Sequence, residues 1–207
     1  MKPLYTIGID EAGRGALAGP VVVAAVAIPE AFTHRVKHLP TLKDSKKLSY
    51  RSREVWHQYI KEYPLVFSQS ARIYQRRIDR TNINKSANLA ASRALQKLLD
   101  KLDLDQDSIR IMLDGNLYPS LHLDLPYKVI VRGDEKIVSI KMASIVAKVV
   151  RDRYMETIHN RYPQYDFAKH KGYGTQEHIE ALREHGISDV HRLTYLKGYP
   201  NLKLIKH

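Results

Sequence analysis

The sequence predicts an α/β fold, a central mixed sheet with helices packed against it. Apolar and β-branched runs of strand length recur at Leu4–Ile9, Val21–Ile28, Leu65–Ile73, Ile109–Leu113 and Tyr127–Val131. Longer stretches with apolar residues three and four apart lie between and after them. Three strands come first, then helix and strand alternate, then helices follow, which is the order of a sheet covered by helices.

Leu4–Ile9 reads as a strand that ends at Asp10, and a glycine-rich loop follows. Val21–Ile28 is β-branched and bounded by Pro20 and Pro29, so it reads as a buried strand. Residues 30–47 read as loop. Trp56, Tyr59, Ile60 and Tyr63 recur at helical spacing until Pro64 stops the helix. Leu65–Ile73 alternates loosely as a third strand, and Gln75–Arg80 fits a short turn of helix. From Asn84 onward, Ala87, Ala91, Ala94, Leu95, Leu98 and Leu102 share one helical face. Ile109–Leu113 is a short strand ending at Asp114, with Gly115-Asn116 as its turn. Tyr127–Val131 is a further strand, followed by Gly133-Asp134. A long helix runs from Ile140 to about Asn160 and Pro163 ends it. A basic, glycine-containing loop then reaches Thr175, and Glu177–Glu184 forms a last helix that Gly186 closes. Residues 192–207 show no clear pattern.

The 207 residues suit one domain. Their net charge of +12 suits either simple solubility or a polyanionic partner, because Lys and Arg that neutralise phosphates gain affinity by counterion release. The absence of cysteine excludes disulfides, thiolate metal sites and thiol nucleophiles. Met1-Lys2-Pro3-Leu4-Tyr5 lacks the apolar run of a signal peptide. The longest apolar stretch, Leu17–Ile28, is too short to span a bilayer and contains Gly19-Pro20. The expectation is a soluble cytoplasmic protein with no membrane association.

Acidic residues recur where the predicted strands end. Asp10-Glu11 closes the first strand, Asp114 the fourth, and Asp134 follows the fifth. Each alone is explained as well by a solvated turn. Their combination in a basic protein resembles a site for a hard cation such as magnesium or manganese, which prefers oxygen ligands. Two such ions about 4 Å apart suit phosphodiester hydrolysis. Gly13-Arg14-Gly15-Ala16-Leu17-Ala18-Gly19-Pro20 is no dinucleotide fingerprint, because its third glycine comes one residue late and a strand follows instead of a helix. It reads either as a plain turn or as a loop whose backbone approaches a ligand closely, with Arg14 as a charged contact.

These motifs, in this order and spacing, resemble bacterial-type ribonuclease HII, a family of the ribonuclease H-like fold. The likeness is carried by Gly8-Ile9-Asp10-Glu11-Ala12-Gly13-Arg14-Gly15, Asp44-Ser45-Lys46-Lys47-Leu48, Asp114-Gly115-Asn116 and Gly133-Asp134. It continues through Ala143-Ser144-Ile145-Val146-Ala147-Lys148, Arg151-Asp152, His170-Lys171-Gly172-Tyr173-Gly174-Thr175 and His191-Arg192. The resemblance implies that Asp10, Glu11, Asp114 and Asp134 are the metal-binding and catalytic acids, with Mn2+ or Mg2+ as a two-ion cofactor. It implies that Gly13, Arg14 and Gly15 read the ribose 2′-hydroxyl, the group that separates RNA from DNA. It implies that Tyr173 packs on the deoxyribose after the ribonucleotide, and that Lys46, Ser144 and Lys148 contact the phosphate backbone. The expected partners are RNA–DNA hybrids and ribonucleotide-containing duplex DNA, cut by a monomer with no protein partner. Residues from about 160 to 207 are expected to form a helical and loop appendage, within a single domain of residues 1–207, that helps bind the substrate. A non-catalytic nucleic-acid-binding module and another two-metal nuclease on the same fold are the alternatives. His170, His178 and His185 show no H-E-x-x-H pattern and read as non-ligands, and His191-Arg192 reads as structural or backbone-facing rather than catalytic. Three positions depart from the family pattern: Ala16 replaces a usual proline, Lys141-Met142 a pair of small residues, and Leu193 a common arginine.

Overall fold

The computed structural model describes residues 4–102, 106–115, 117–119, 126–199 and 202. The expected turn residue Asn116 and most of 200–207 lie outside them. In chain order the main elements are β1 (Tyr5–Ala12), β2 (Val21–Pro29), α1 (Tyr50–Glu62), β3 (Phe67–Ile73), α2 (Gln75–Arg80) and α3 (Ile83–Leu99). They continue with β4 (Ile109–Asp114), β5 (Tyr127–Ile130), α4 (Gly133–Lys136), α5 (Val138–Arg161), α6 (Phe167–His170), α7 (Gln176–His185) and α8 (Leu193–Leu196). The strands form one mixed sheet in the order β3-β2-β1-β4-β5, with β1 parallel to β4 and antiparallel to β2.

Strand periodicity sorts the side chains into two layers. Val21, Val23, Ala25 and Ala27 of β2 join Ile7 and Ile9 of β1 against Ala87, Ala91, Leu95 and Leu98 of α3. Ala24, Val26 and Ile28 face the other way, toward Trp56 and Ile60 of α1 and Met142 and Val146 of α5. This explains why β2 is apolar at every position: helices cover both of its faces. Polar groups at the helix starts take up free amides, as Ser49 does for Ser52 and Asn82 for Lys85. The indole of Trp56 donates to the Pro40 carbonyl at 2.9 Å and so tethers the long loop before α1.

Several elements differ from expectation. β1 continues through Ala12, because β2 keeps pairing with it up to Ala12 opposite Val22. Residues 45–47 form a 3-10 turn capped by the Asp44 carboxylate, within a segment expected to be all loop. The basic loop before Thr175 contains the short helix α6, and α8 lies in the stretch without clear pattern. The backbone amides of Leu193 and Thr194 donate to Asp79 and fix α8 beside α2. Met142 is fully buried against the sheet, so that departure from small residues fills core volume.

Gly8 lets α5 lie flush on β1. A Cβ there would stand 2.1 Å from the carbonyl carbon of Ser139 and 2.3 Å from the amide of Ile140. Both are backbone atoms that no rotamer change can move aside. Gly8→Ala is therefore expected to lower the unfolding free energy by about 1–3 kcal/mol, as other overpacked cores do, measured by urea denaturation.

Candidate active site

Alternation along β1 sends Asp10 and Glu11 to opposite faces of the sheet. Asp10 faces α5, where the Ser144 hydroxyl hydrogen-bonds its carboxylate and the Glu11 amide donates to it at 2.7 Å. Glu11 faces α3, and its Oε1 accepts from Arg14 Nε at 2.7 Å. Arg14 is held in turn by Asn84 of α3, whose side-chain oxygen accepts from Nη1 at 2.6 Å. Because Ile9 pairs with Leu113, Asp114 ends β4 directly beside Asp10. The Gly133 amide donates to Asp114 at 2.7 Å. Asp134 lies in the first turn of α4, not in a loop as its sequence suggests, and Arg132 before that helix takes a left-handed conformation.

One carboxylate oxygen from each of Asp10, Asp114 and Asp134 lies within 4.8 Å of the others. Asp10 and Asp134 are buried, and Lys46 Nζ stands 3.5 Å from Asp134. Burial, then the neighbouring Glu11, raises Asp10 well above the usual carboxylate range, against the Ser144 and Glu11 hydrogen bonds. Burial raises Glu11 too, partly offset by Arg14. Burial raises Asp114 despite the Gly133 amide. Burial works to lower Lys46, but Asp134, Asp44 and Asp10 outweigh it and the lysine is raised. Glu11 Oε2 is buried with no hydrogen-bond partner among the described residues. Close, oxygen-rich, under-neutralised carboxylates with a spare oxygen nearby fit a divalent cation that takes only oxygen ligands.

One cleft of about 670 Å3 joins these acids to the other predicted contacts. The Gly13–Gly15 loop, Lys46, Ser144, Lys148 and Tyr173 line it with Asp10, Glu11 and Asp114. Lys148 pairs with Asp152 at 2.7 Å, and its ammonium stands 5.7 Å from the centre of the Tyr173 ring. Ser144 meets Ser45 at 2.8 Å, which ties the 3-10 turn bearing Lys46 to α5. The expected ligand and contact residues thus converge on one place, with Glu11 set apart from the aspartate trio by its arginine.

Two buried arginines fix the loop: Arg192 is backbone-facing, as expected, while the matching role of Arg151 was missed by sequence reasoning. Arg151 is fully buried and donates to the carbonyls of Pro20 and Ala18, both at 3.1 Å. Its guanidinium also faces the Tyr173 ring at 5.0 Å. Arg192, equally buried, donates to the carbonyls of Gly19, Arg14 and Gly13 at 3.0, 2.9 and 2.7 Å. Burial pulls Arg192 down to about 10, so it stays charged near neutrality. Gly13 has a positive φ of 88°, and a Cβ there would stand 2.0 Å from Arg151 Nε. The available signal was the stripe Ser144, Lys148, Arg151 and Met155, which shares one face of α5. Asn84 gave none, since an asparagine at a helix start reads as a cap. The Ala16 amide donates to Gly13 O at 3.5 Å, a turn bond that the usual proline could not make.

A family model described as Ribonuclease HII matches residues 7–197. The chain belongs to the ribonuclease HII family. A Ribonuclease HII of Endomicrobium trichonymphae is 46% identical over 196 residues, 94% of this chain and 87% of the relative. That of Neisseria meningitidis serogroup C is 42% identical over 189 residues, 91% of each chain. Among solved structures, the ribonuclease H2 from Pyrococcus horikoshii OT3 superposes with a TM-score of 0.72 at 25% identity, covering 92% of this chain and 93% of that one. The RNase HII in the PCNA:RNase HII complex from Archaeoglobus fulgidus gives 0.72 at 26%, covering 97% and 98%. The ribonuclease HII chain is therefore a hydrolase of the ribonuclease H class on the ribonuclease H-like fold. Among the described residues, no helix is long and apolar enough to cross a membrane.

The raised pKa of Asp10 has a measurable sign. A carboxyl whose folded pKa lies above its unfolded value of about 3.9 contributes stability at low pH and loses it as pH rises through the folded pKa. In metal-free protein, Asp10→Asn is expected to be more stable than the wild type at pH 8, where the ionised wild type suffers most. That advantage should shrink as pH falls toward about 4, in thermal melts with chelator present. Added Mn2+ should raise the wild-type Tm and leave the variant nearly unchanged.

Proposed function

We propose that this enzyme hydrolyses the phosphodiester on the 5′ side of a ribonucleotide, in RNA–DNA hybrids and at single ribonucleotides embedded in duplex DNA. Its products carry 5′-phosphate and 3′-hydroxyl ends, as expected in RNA primer degradation and ribonucleotide removal. The observation that carries this reading is one cleft lined by Asp10, Glu11 and Asp114 together with the Gly13-Arg14-Gly15 loop and Tyr173, with Asp134 close to Asp10 and Asp114. Acids alone would suit any phosphodiester. A backbone loop that approaches closely enough to meet a 2′-hydroxyl, opposite an aromatic ring, suits a cut chosen by one sugar.

Divalent ions, Mn2+ or Mg2+, held by Asp10 with Asp114 and Asp134 and by Asp10 with Glu11, would supply an activated water and a stabilised 3′ leaving oxygen. Ser144 orients the Asp10 carboxylate through its hydroxyl, and the Gly133 amide orients Asp114. Lys46 and Lys148 meet the phosphates on either side, which a net charge of +12 favours at a distance. The Gly13–Gly15 amides and Arg14 read the ribose, and the flat face of Tyr173 favours a deoxyribose after it.

The segment from about 160 to 207 belongs to this reader, because it contributes Tyr173 to the cleft and Arg192 to the loop. We read residues 1–207 as a single domain that acts as a monomer. A cytoplasmic setting suits a chain without cysteine.

Two experiments test the reading. Asp114→Asn should lower cleavage of a ribonucleotide-containing duplex at least about 100-fold while hybrid binding, followed by fluorescence anisotropy, stays within about threefold. Near-normal turnover would remove Asp114 from the chemistry. Duplexes with one ribonucleotide, all DNA and all RNA should be cut only in the first case, in Mg2+ and in Mn2+ alike. Equal cutting of all three would remove the 2′-hydroxyl reading.

A further inference from the structure

Three buried histidines that the chemistry does not use lie beneath the loop carrying Tyr173. His178 is fully buried, His191 nearly so, and His170 stacks on His178 with ring centres 4.4 Å apart. Their hydrogen bonds determine every tautomer. The Ser188 amide donates to His191 Nδ1 at 3.1 Å, so that nitrogen accepts and the proton of His191 sits on Nε2. His191 Nε2 stands 3.1 Å from His178 Nε2, which therefore accepts and leaves the proton of His178 on Nδ1. His178 Nδ1 then donates to the backbone carbonyl of Tyr173 at 2.9 Å. His170 is fixed in the same way: the Gly172 amide donates to Nδ1 at 3.2 Å, and Nε2 donates to Tyr165 O at 2.6 Å.

The chain from Ser188 through His191 and His178 to Tyr173 has one direction only, and it requires neutral rings. A second proton on His178 would bring two N–H groups face to face at Nε2. Burial pulls His178 down to about 4 and His191 to about 3, so both stay neutral in ordinary solution. One end of the chain holds Tyr173, whose amide is also bonded to His170 O at 3.0 Å and whose carbonyl also accepts from Thr175 at 2.9 Å. The other end adjoins Arg192, which grips the carbonyls of Gly13 and Arg14 across the cleft. Ala18 bridges to His191, and Gly172 O accepts the amides of Leu17 and Ala18. Tyr173 and the Gly13–Gly15 loop therefore share one buried support.

We propose that His178, oriented by His191, is a positioning residue for Tyr173: it sets where the ring stands opposite the Gly13–Gly15 loop and so sets the preference for an RNA-to-DNA junction. This rests on the reading of Tyr173 given above. A histidine serving only the core would support all substrates equally, whereas a positioning residue acts on the junction alone.

The test compares two isosteric halves of the imidazole. Asparagine at 178 keeps a donor near the Nδ1 position, and glutamine keeps only a group near Nε2. Steady-state kinetics with the full chain and Mn2+ would use a duplex with one ribonucleotide followed by DNA and a hybrid of continuous RNA. His178→Gln should lower the ratio of the two kcat/KM values about tenfold, the size of loss that a small misplacement of a reading group produces. His178→Asn should hold that ratio within about twofold of the wild type. Both variants should still melt cooperatively. Tyr173→Ala is run beside them and should lose the ratio outright. If Tyr173→Ala and His178→Gln both keep the wild-type ratio, the reading of Tyr173 fails and takes this inference with it. If Tyr173→Ala loses the ratio while His178→Gln keeps it, or while glutamine and asparagine lose it equally, the positioning role of His178 alone is overturned.

Discussion

Arg151 and Arg192 bury two guanidinium groups completely and direct them at five backbone carbonyls between Gly13 and Pro20. A loop so short, passing under α5 and the last turns of the chain, would otherwise bury carbonyls with no donor. Each unpaired group would cost about 1–3 kcal/mol. A guanidinium meets several at once with a rigid fork, which a lysine could not do. The charges themselves are softened by tyrosine faces, Tyr173 on Arg151 at 5.0 Å and Tyr195 on Arg192 at 5.1 Å. The arrangement makes the loop, the long helix and the C-terminal segment interdependent: none can shift without exposing or stranding a buried cation. The same packing requires glycine at position 13, since any side chain there would occupy the position of Arg151, and the positive φ requires it independently.

The acids stand in contrast. Asp10 and Asp134 are buried close to Asp114, and Lys46 pairs with Asp134 alone, at 3.5 Å. The sheet tolerates this because β1 and β4 fix Asp10 and Asp114 side by side, while the Gly133 amide and the Ser144 hydroxyl supply the hydrogen bonds that solvent would give. What the fold leaves unmet is charge. It is unmet in the middle of a basic molecule, where a divalent cation would satisfy the acids and a polyanion would satisfy the surface.

Most of the fold was legible because its signals are local. β2 reads as a strand from its valines and flanking prolines, and α3 from its alanine and leucine face. What stayed hidden depends on pairing over distance. Nothing in Asp10-Glu11 says that β2 carries the strand on to Ala12, so the separate supports of the two acids, the Glu11 amide for Asp10 and the Arg14–Asn84 pair for Glu11, became visible only with the structure. Asp134 reads as a turn residue, and only the left-handed Arg132 starts a helix in time to bring it beside Asp10 and Asp114. The expected contact residues line one cleft, yet Arg151, Arg192 and Asn84 act on groups 70 or more positions away. A helical stripe hints at Arg151 and a backbone-facing reading at Arg192, but the neighbours of Asn84 in sequence carry no trace of its partner.

The same distance explains how chemistry and choice are divided in this chain. The aspartate trio belongs to β1, β4 and α4, all on or beside the sheet, and depends on strand register. The elements read here as choosing the substrate are a turn and a late loop, neither of which has regular structure to hold it. Both are made rigid instead by buried cations and neutral imidazoles that bond to backbone atoms rather than to side chains. Backbone bonds constrain where a residue sits without dictating which side chain it carries. Substitutions such as Ala16 in the turn can therefore be absorbed while the loop keeps its place against the acids.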